Sequence, residues 1–464
     1  MTDAGGGEAW RVSRYVTCVE LEAVDTTLVY GGLGGRLIEL TGGLRRAGRA
    51  LLADPAAGAP DELREAFVEQ GILVPGELDE VALLEARREQ THRPDFGAVS
   101  LTLCPTVNCN FRCVYCFQHH LGRLMSPNVM DHVEAFVGQQ SPLVSSLSIT
   151  WFGGEPLLGL DEVIVPLTRR LRSMVPPGRY RATVISNGWL LTPEVSTRLV
   201  ELGVRSVQVT LDGDRETHDA RRPRAGGQAT FDRILEHLHG ADSRLGLSVR
   251  VNTDQRNVER VDALFEQLRG LEGRIALYFA PVVAYTEVCA DTAGHCLAGE
   301  DWSQHNARLR LAAVQRGFGG PGIPGMRAGF CIADNPRGWV VTPDGKIYKC
   351  WNDVTFPDRA VGDLVTGERT PAMQHELARW RDWSPFKLSE CRECKTLPQC
   401  HSGCPHIAMQ QPGEITHGEC SELKWNLPET LATYYLTHRR RELGQELVSI
   451  AETRSRRPEG SSTD

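Results

Sequence analysis

The 464-residue sequence has no apolar run long enough to span a bilayer, so a helical membrane protein is not expected. Its first residues, Met1-Thr-Asp-Ala-Gly-Gly-Gly-Glu8, lack the charged and apolar regions of a secretory signal. A cytoplasmic chain is therefore expected. Basic residues are not in excess either: 51 Lys and Arg stand against 59 Asp and Glu, for a net charge of -8. No nucleic-acid partner and no membrane partner is expected from that balance. The absence with most chemical content is local. The run Cys109-Asn-Phe-Arg-Cys113-Val-Tyr-Cys116 has the spacing C-x3-C-x2-C and no fourth cysteine. Closed structural metal sites are normally filled by four protein ligands. Three thiolates leave a four-iron cluster one ligand short, with one iron open to a small molecule. A zinc site with a distant fourth ligand is the alternative.

The sequence holds fourteen cysteines, and ten of them fall into motif-like spacings. Cys18, Cys104, Cys289 and Cys296 do not. In a large chain without a signal peptide, clustered cysteines read as metal ligands kept reduced, not as disulfides.

Residues 1–92 read as a separate small module. Strand-like runs at Tyr15–Leu21 and Thr27–Tyr30 alternate apolar and polar side chains, and a glycine-rich turn begins at Gly31. Helices are expected at Gly43–Leu52 and Pro60–Gln70, then a short strand at Gly71–Pro75 and a charged connector helix at Asp79–Arg93. Strands leading into short helices suggest a winged-helix-like arrangement.

Residues 93–285 alternate strand and helix. Apolar strands are expected at Val99–Leu103, Leu147–Trp151, Arg181–Ile185, Ser206–Leu211, Leu247–Val251 and Ile275–Phe279. The fold class is therefore α/β, a partial (β/α)6 TIM-like barrel rather than a closed eight-unit one. A bridging segment, 286–330, contains a helix near Trp302–Arg316 and a Gly/Pro-rich run at Gly317–Gly329. Residues 331–425 are cysteine-rich with little periodicity, as expected where metal clusters replace an apolar core. Residues 426–464 read as a charged helix over Pro428–Ala451 and a disordered tail from Glu452.

The triplet follows the first barrel strand, at the carboxyl end where barrel enzymes place their chemistry. The next strand ends in Gly153-Gly154-Glu155-Pro156, where glycines let backbone approach a ligand. Later strand ends carry Ser186-Asn187-Gly188, Thr210-Leu-Asp212-Gly213 and Arg250-Val-Asn252, with Arg221-Arg222-Pro223 between them. Each could be an ordinary loop. Together they suit an adenosyl ligand with a zwitterionic tail.

These motifs resemble the radical S-adenosylmethionine (SAM) enzymes. The resemblance implies that Cys109, Cys113 and Cys116 bind a [4Fe–4S] cluster whose open iron is chelated by SAM. Gly153, Gly154 and Glu155 would hold the methionine end, with Thr210 and Arg250 as further SAM contacts. Reductive cleavage of SAM would give a 5′-deoxyadenosyl radical that abstracts hydrogen from an inert C–H bond. No catalytic side chain is assigned.

A second cysteine set begins at Cys331, continues through Gly345 and Cys350, and runs on as Cys391, Cys394, Cys400, Cys404 and Cys420. A zinc ribbon is conceivable for Cys391 to Cys404. The full set resembles the SPASM extension of radical SAM peptide- and protein-modifying enzymes, which implies a C-terminal auxiliary-cluster domain. By that resemblance Cys391, Cys394, Cys400 and Cys420 hold one auxiliary [4Fe–4S] cluster. Cys331, Cys350 and Cys404 hold another that is one cysteine short. Cys289 or Cys296 completes it, or one iron stays open. Sulfatase-maturating relatives carry an aspartate directly after the cysteine at the Cys350 position; this chain has Trp351 there and Asp353 beyond it.

The first ninety residues resemble the leader-recognition modules of ribosomally made peptide pathways, with a structural cap on the barrel as the alternative. The expected function is thus radical modification of a precursor peptide with a leader, giving a thioether or carbon–carbon cross-link. A reductant such as flavodoxin or ferredoxin is implied. The alternatives are a side-chain dehydrogenase of the sulfatase-maturase type and a non-catalytic iron–sulfur scaffold.

Overall fold

The computed structural model describes residues 9–92, 98–120, 122–140, 145–327, 331–411, 415 and 418–443. The expected tail from Glu452, and the end of the helix before it, lie outside the described residues. No helix among the described residues is long and apolar enough to cross a membrane.

The centre of the molecule is a parallel sheet of β6 (Ala98–Thr106), β7 (Ser146–Gly153), β8 (Tyr180–Ser186), β9 (Val204–Thr210), β10 (Gly246–Thr253) and β11 (Ile275–Pro281). These strands lie side by side in sequence order, each parallel to the next. Such singly wound order is that of a barrel wall, and β11 and β6 do not pair, so the barrel stays open. The six strands occupy the expected runs to within a few residues. Fully buried Leu101, Leu147, Val184, Val207 and Val249 alternate along them with polar positions.

Beyond β6 the sheet continues into a region read from sequence as having little regular structure. Strand β12 (Gly338–Val341) pairs parallel with β6, then returns as β13 (Lys346–Tyr348) and β14 (Gly362–Asp363). Gly345, at φ 86°, closes the turn of that hairpin. The cysteine-rich segment is thereby hydrogen-bonded to the barrel, and Cys350 follows directly after β13.

At the amino end, β2 (Val16–Leu21), β3 (Thr26–Gly31) and β4 (Arg36–Thr41) form an antiparallel sheet. Strand β1 (Trp10–Val12) pairs with β5 (Leu73–Pro75). Neither β1 nor β4 is legible as a strand in the sequence, where 31–37 shows only the glycine signature of a turn. Helices Gly42–Ala53 and Asp61–Glu69 cover one face of the sheet, burying Val29, Leu40, Leu51, Phe67 and Ile72 together. Helix Leu423–Leu443 covers the other face through Leu427, Leu431 and Leu436 against Val19, Leu28 and Tyr30. Full burial of such side chains contributes about 2 kcal/mol each. Pro428 sits just past a non-helical Asn426, where a proline can enter a first turn.

Candidate functional site

The loop after β6 carries Cys109, Cys113 and Cys116, and two backbone seams fix it. On one side the amides of Gly154 and Glu155 donate to the Thr106 and Asn108 carbonyls at 3.2 and 2.9 Å. On the other, Arg112 and Val114 donate to Pro223 and Arg221 at 2.8 and 3.0 Å, while Ala225 donates to Asn110 at 2.9 Å. The Arg-Arg-Pro run is therefore a strap laid along the cysteine loop.

A Cβ at Gly153 would lie 2.1 Å from the Thr106 carbonyl oxygen, and one at Gly154 2.1 Å from that of Asn108. Gly153 also has φ 123°. The chain's own packing requires both glycines, whatever ligand lies above them. Gly154→Ala is expected to cost about 3 kcal/mol, because backbone must yield to make room. Thermal unfolding of the variant measures this; an unchanged midpoint would mean the seam relaxes freely.

Glu155 is fully buried behind the glycines. Its carboxylate accepts from the Asn187 amide at 2.7 Å, the Ser186 hydroxyl at 2.9 Å and the Leu157 amide at 3.0 Å. These bonds join the ends of β7 and β8. Burial raises its pKa to about 7 against the opposing pull of those donors.

The triplet opens onto a cavity of about 230 Å³ at the carboxyl ends of the strands. Gly153, Gly154, Ser186, Asn187, Thr210, Arg250 and Asn252 line one part of it. Phe117, Phe152, Val282, Tyr285 and Trp351 line the rest. Trp351 and Phe152 are stacked, with ring centroids 5.2 Å apart. Of the five SAM contacts expected from sequence, the structure brings Gly153, Gly154, Thr210 and Arg250 to the cavity wall. Glu155 stands one layer behind.

A charged network lies under the cysteine loop. The Tyr115 hydroxyl donates to Asp212 and accepts from Arg222 and from the Asn252 amide group. Arg221 pairs with Asp254 at 2.9 Å and lies over the Tyr115 ring. Arg222 is buried, reaches the cavity, and opposes the rise in the Cys113 pKa. In the sequence Arg222 stands out only as part of the Arg-Arg-Pro run; burial and the cavity single it out. His218 and Asp219 of the same motif face inward: His218 Nδ1 accepts from the Asp212 amide at 3.2 Å, and Asp219 accepts from the amides of Thr230 and Phe231.

Burial pushes the Cys109 thiol up to about 12 and that of Cys113 up to about 11, and raises Cys116 as well. Such thiols hold their protons until a metal displaces them. Three of them, a glycine cradle and a buried guanidinium around one cavity could hold an iron–sulfur cluster with an amino-acid ligand.

Cys391, Cys394, Cys400 and Cys420 line a second, small cavity together. The local backbone explains how Cys420 joins a group far from it in sequence. His401, Ser402 and Gly403 all have positive φ, and Gly403 forms a bridge with Glu419. A Cβ on Gly403 would lie 1.6 Å from the Glu419 carbonyl, so this contact needs glycine. Cys420 consequently arrives beside Cys400.

Cys331, Cys350 and Cys404 form a third group whose charges act on one another. Asp353 and His406 approach Cys350, with ligand atoms all within 4.8 Å. His406 Nε2 is 3.0 Å from the Asp353 carboxylate, and both residues are buried. The only sequence signal for His406 is its place two residues after Cys404. Cys289 is buried elsewhere, close enough to Cys116 for its charge to act there. Cys296 interacts with Cys289 and Asp254.

Residues 103–267 match the family described as the Radical SAM superfamily. The chain is 28% identical over 218 residues to the Fe-coproporphyrin III synthase of Methanosarcina barkeri, covering 45% of this chain and 49% of that protein. It thus spans about half the length of that relative. It is 29% identical over 337 residues to the mycofactocin maturase MftC of Mycobacterium tuberculosis, covering 68% of this chain and 80% of MftC. The solved structure of native anSMEcpe with bound AdoMet and Cp18Cys peptide superposes with a TM-score of 0.54 at 18% identity. That superposition covers 76% of this chain and 99% of anSMEcpe, and shows a shared fold. With the cysteine triplet at the strand ends and the family match running from the end of β6 through β10, residues 103–267 form a radical SAM domain.

Proposed function

We propose that the chain is a radical SAM enzyme that modifies a ribosomally synthesised precursor peptide. The observation that carries this reading is the cysteine triplet, open to a cavity whose far wall comes from the second cysteine-rich segment. Trp351 and Asn352, directly after Cys350, line the same cavity as Cys113 and Gly153. A radical generated there would meet a substrate held between the two cysteine regions.

A [4Fe–4S] cluster on Cys109, Cys113 and Cys116 would supply the single electron that cleaves SAM. Backbone at Gly153 and Gly154 would receive the methionine end. Arg222 offers a buried positive charge for its carboxylate, while Thr210, Arg250 and Asn252 offer polar contacts further along. Glu155 holds the glycine turn and Asn187 in register. Phe117, Phe152, Tyr285 and Trp351 keep water from the rest of the cavity.

Cys391, Cys394, Cys400 and Cys420 would hold one auxiliary cluster, and Cys331, Cys350 and Cys404 another. The amino-terminal module, residues 1–92, would bind the leader by adding it as a strand to the sheet of β2, β3 and β4. The product would be a thioether or carbon–carbon cross-link, with flavodoxin or ferredoxin as electron source. The module's position supports a peptide substrate: its glycine turn meets the auxiliary region through a buried 2.7 Å bond from Gln399 Nε2 to the Gly32 carbonyl.

Co-expression with a short peptide encoded beside the gene, followed by mass spectrometry, tests the reading. A cross-link appears as loss of two hydrogen atoms from the core segment. SAM cleavage without any change in peptide mass would remove the peptide assignment.

A further inference from the structure

Cys331 is exposed and belongs to no helix or strand, yet the third cysteine group needs it in place. Two buried basic side chains hold its loop. Arg88 forms a two-pronged ion pair with Asp334, at 2.6 and 2.9 Å, and donates a further bond to the Trp383 carbonyl at 2.9 Å. The side chains of Arg88 and Asp334 are only 9% and 3% exposed. Asp334 lies in the turn that Cys331 opens, its amide donating to the Cys331 carbonyl at 3.2 Å. His92, one turn after Arg88, reaches the Asp334 carbonyl at 2.8 Å.

The second is Lys349, the residue before Cys350. Its ammonium donates to the carbonyls of Asn335 and Gly338, both at 2.7 Å, and lies over the Trp339 ring. A side chain that neighbours one thiol is therefore bonded to the loop carrying another.

Arg88 belongs to helix Glu80–His92, which leaves the amino-terminal module. That helix is anchored at its start, where Glu80 accepts from Ser13 and from Arg11, the latter at 2.6 Å. A rigid rod thus runs from strand β1 to the Cys331 turn. A guanidinium fork fixes a carboxylate in direction as well as distance, which a flexible ammonium does not.

We propose that Arg88 and Lys349 are positioning residues for a cluster held by Cys331, Cys350 and Cys404, which makes the amino-terminal module a structural part of that auxiliary site. The inference rests on the cluster reading given above. Removing Arg88 also leaves the buried Asp334 carboxylate unpaired in the Cys331 turn, and a bare negative charge there disfavours the more negative, reduced state of a cluster and lowers its potential.

The test uses the full chain, reconstituted anaerobically with iron and sulfide. Arg88→Met and Lys349→Met are followed by iron content and by redox titration with electron paramagnetic resonance. In Arg88→Met the auxiliary signal should shift to a more negative potential or disappear, and in Lys349→Met the auxiliary iron should fall with the two lost loop bonds, while the SAM-responsive signal of the triplet stays in both. Auxiliary signals at the wild-type potential in both would overturn the proposal. If Arg88→Met does not fold, Arg88→Lys decides, since it keeps the charge and loses the fork. A partial loss of auxiliary iron supports the fork's role, and full retention with an unshifted potential refutes it. Wild-type protein that takes up iron for the triplet alone would instead overturn the auxiliary-cluster reading itself.

Discussion

Cys113→Ala is expected to abolish formation of 5′-deoxyadenosine and to leave the barrel folded. Cys113 lies within the second seam of its loop, between Arg112 and Val114, and neither seam uses its side chain. Losing the sulfur from a half-buried position costs about 1 kcal/mol, well below what unfolds a domain of this size. The chemical loss is far larger, because two thiols cannot hold the cluster in the geometry that leaves one iron open. Cys289, buried near Cys116, is no substitute, since its sulfur lies against the Thr286 carbonyl at 3.3 Å. The expected fall in SAM cleavage is at least about 1000-fold. Chromatography of the nucleoside formed with dithionite measures it, beside circular dichroism as the folding control. A folded variant that keeps a tenth of the activity would show that the triplet does not hold the initiating cluster.

Cys394→Ala separates initiation from product formation. Cys394 shares its cavity with Cys391, Cys400 and Cys420 and has no part in the wall of the cavity beside the triplet. SAM cleavage should persist, within about threefold of the parent, while modified peptide falls by about 100-fold or more. The two losses are read from one reaction, as nucleoside and as peptide mass. Parallel loss of both in a folded variant would mean that the auxiliary region supports the first step as well. The stack of Trp351 on Phe152 is the route by which such a dependence would arise, since it joins the Cys350 turn to the end of β7.

Much of the site was legible because its signals are local. Three cysteines in one loop must meet whatever the rest of the chain does, and the alternating βα pattern puts that loop at the strand ends. Gly153 and Gly154 were read as room for a ligand. The structure adds a second reason: Cβ atoms there would collide with the Thr106 and Asn108 carbonyls. Glu155 shows the opposite limit. The motif places it against the methionine end of SAM, but no local pattern records that Ser186 and Asn187, 31 and 32 residues on, claim the carboxylate first.

The sequence by itself determined the six-unit parallel architecture, the ten clustered cysteines and the polar residues at successive strand ends. Spacing and periodicity act over a few residues, and these features need nothing longer. Tertiary structure alone decided that β12 extends the barrel sheet and that the turn after Cys350 brings Trp351 and Asn352 to the cavity. It also decided that helix Leu423–Leu443 covers the far face of the amino-terminal sheet, and that Arg88 reaches Asp334 across 246 residues. Each of these is a pairing of surfaces far apart in the chain. Such a pairing is fixed by shape and by the cost of leaving a buried charge or strand edge unmatched, neither of which a local pattern records.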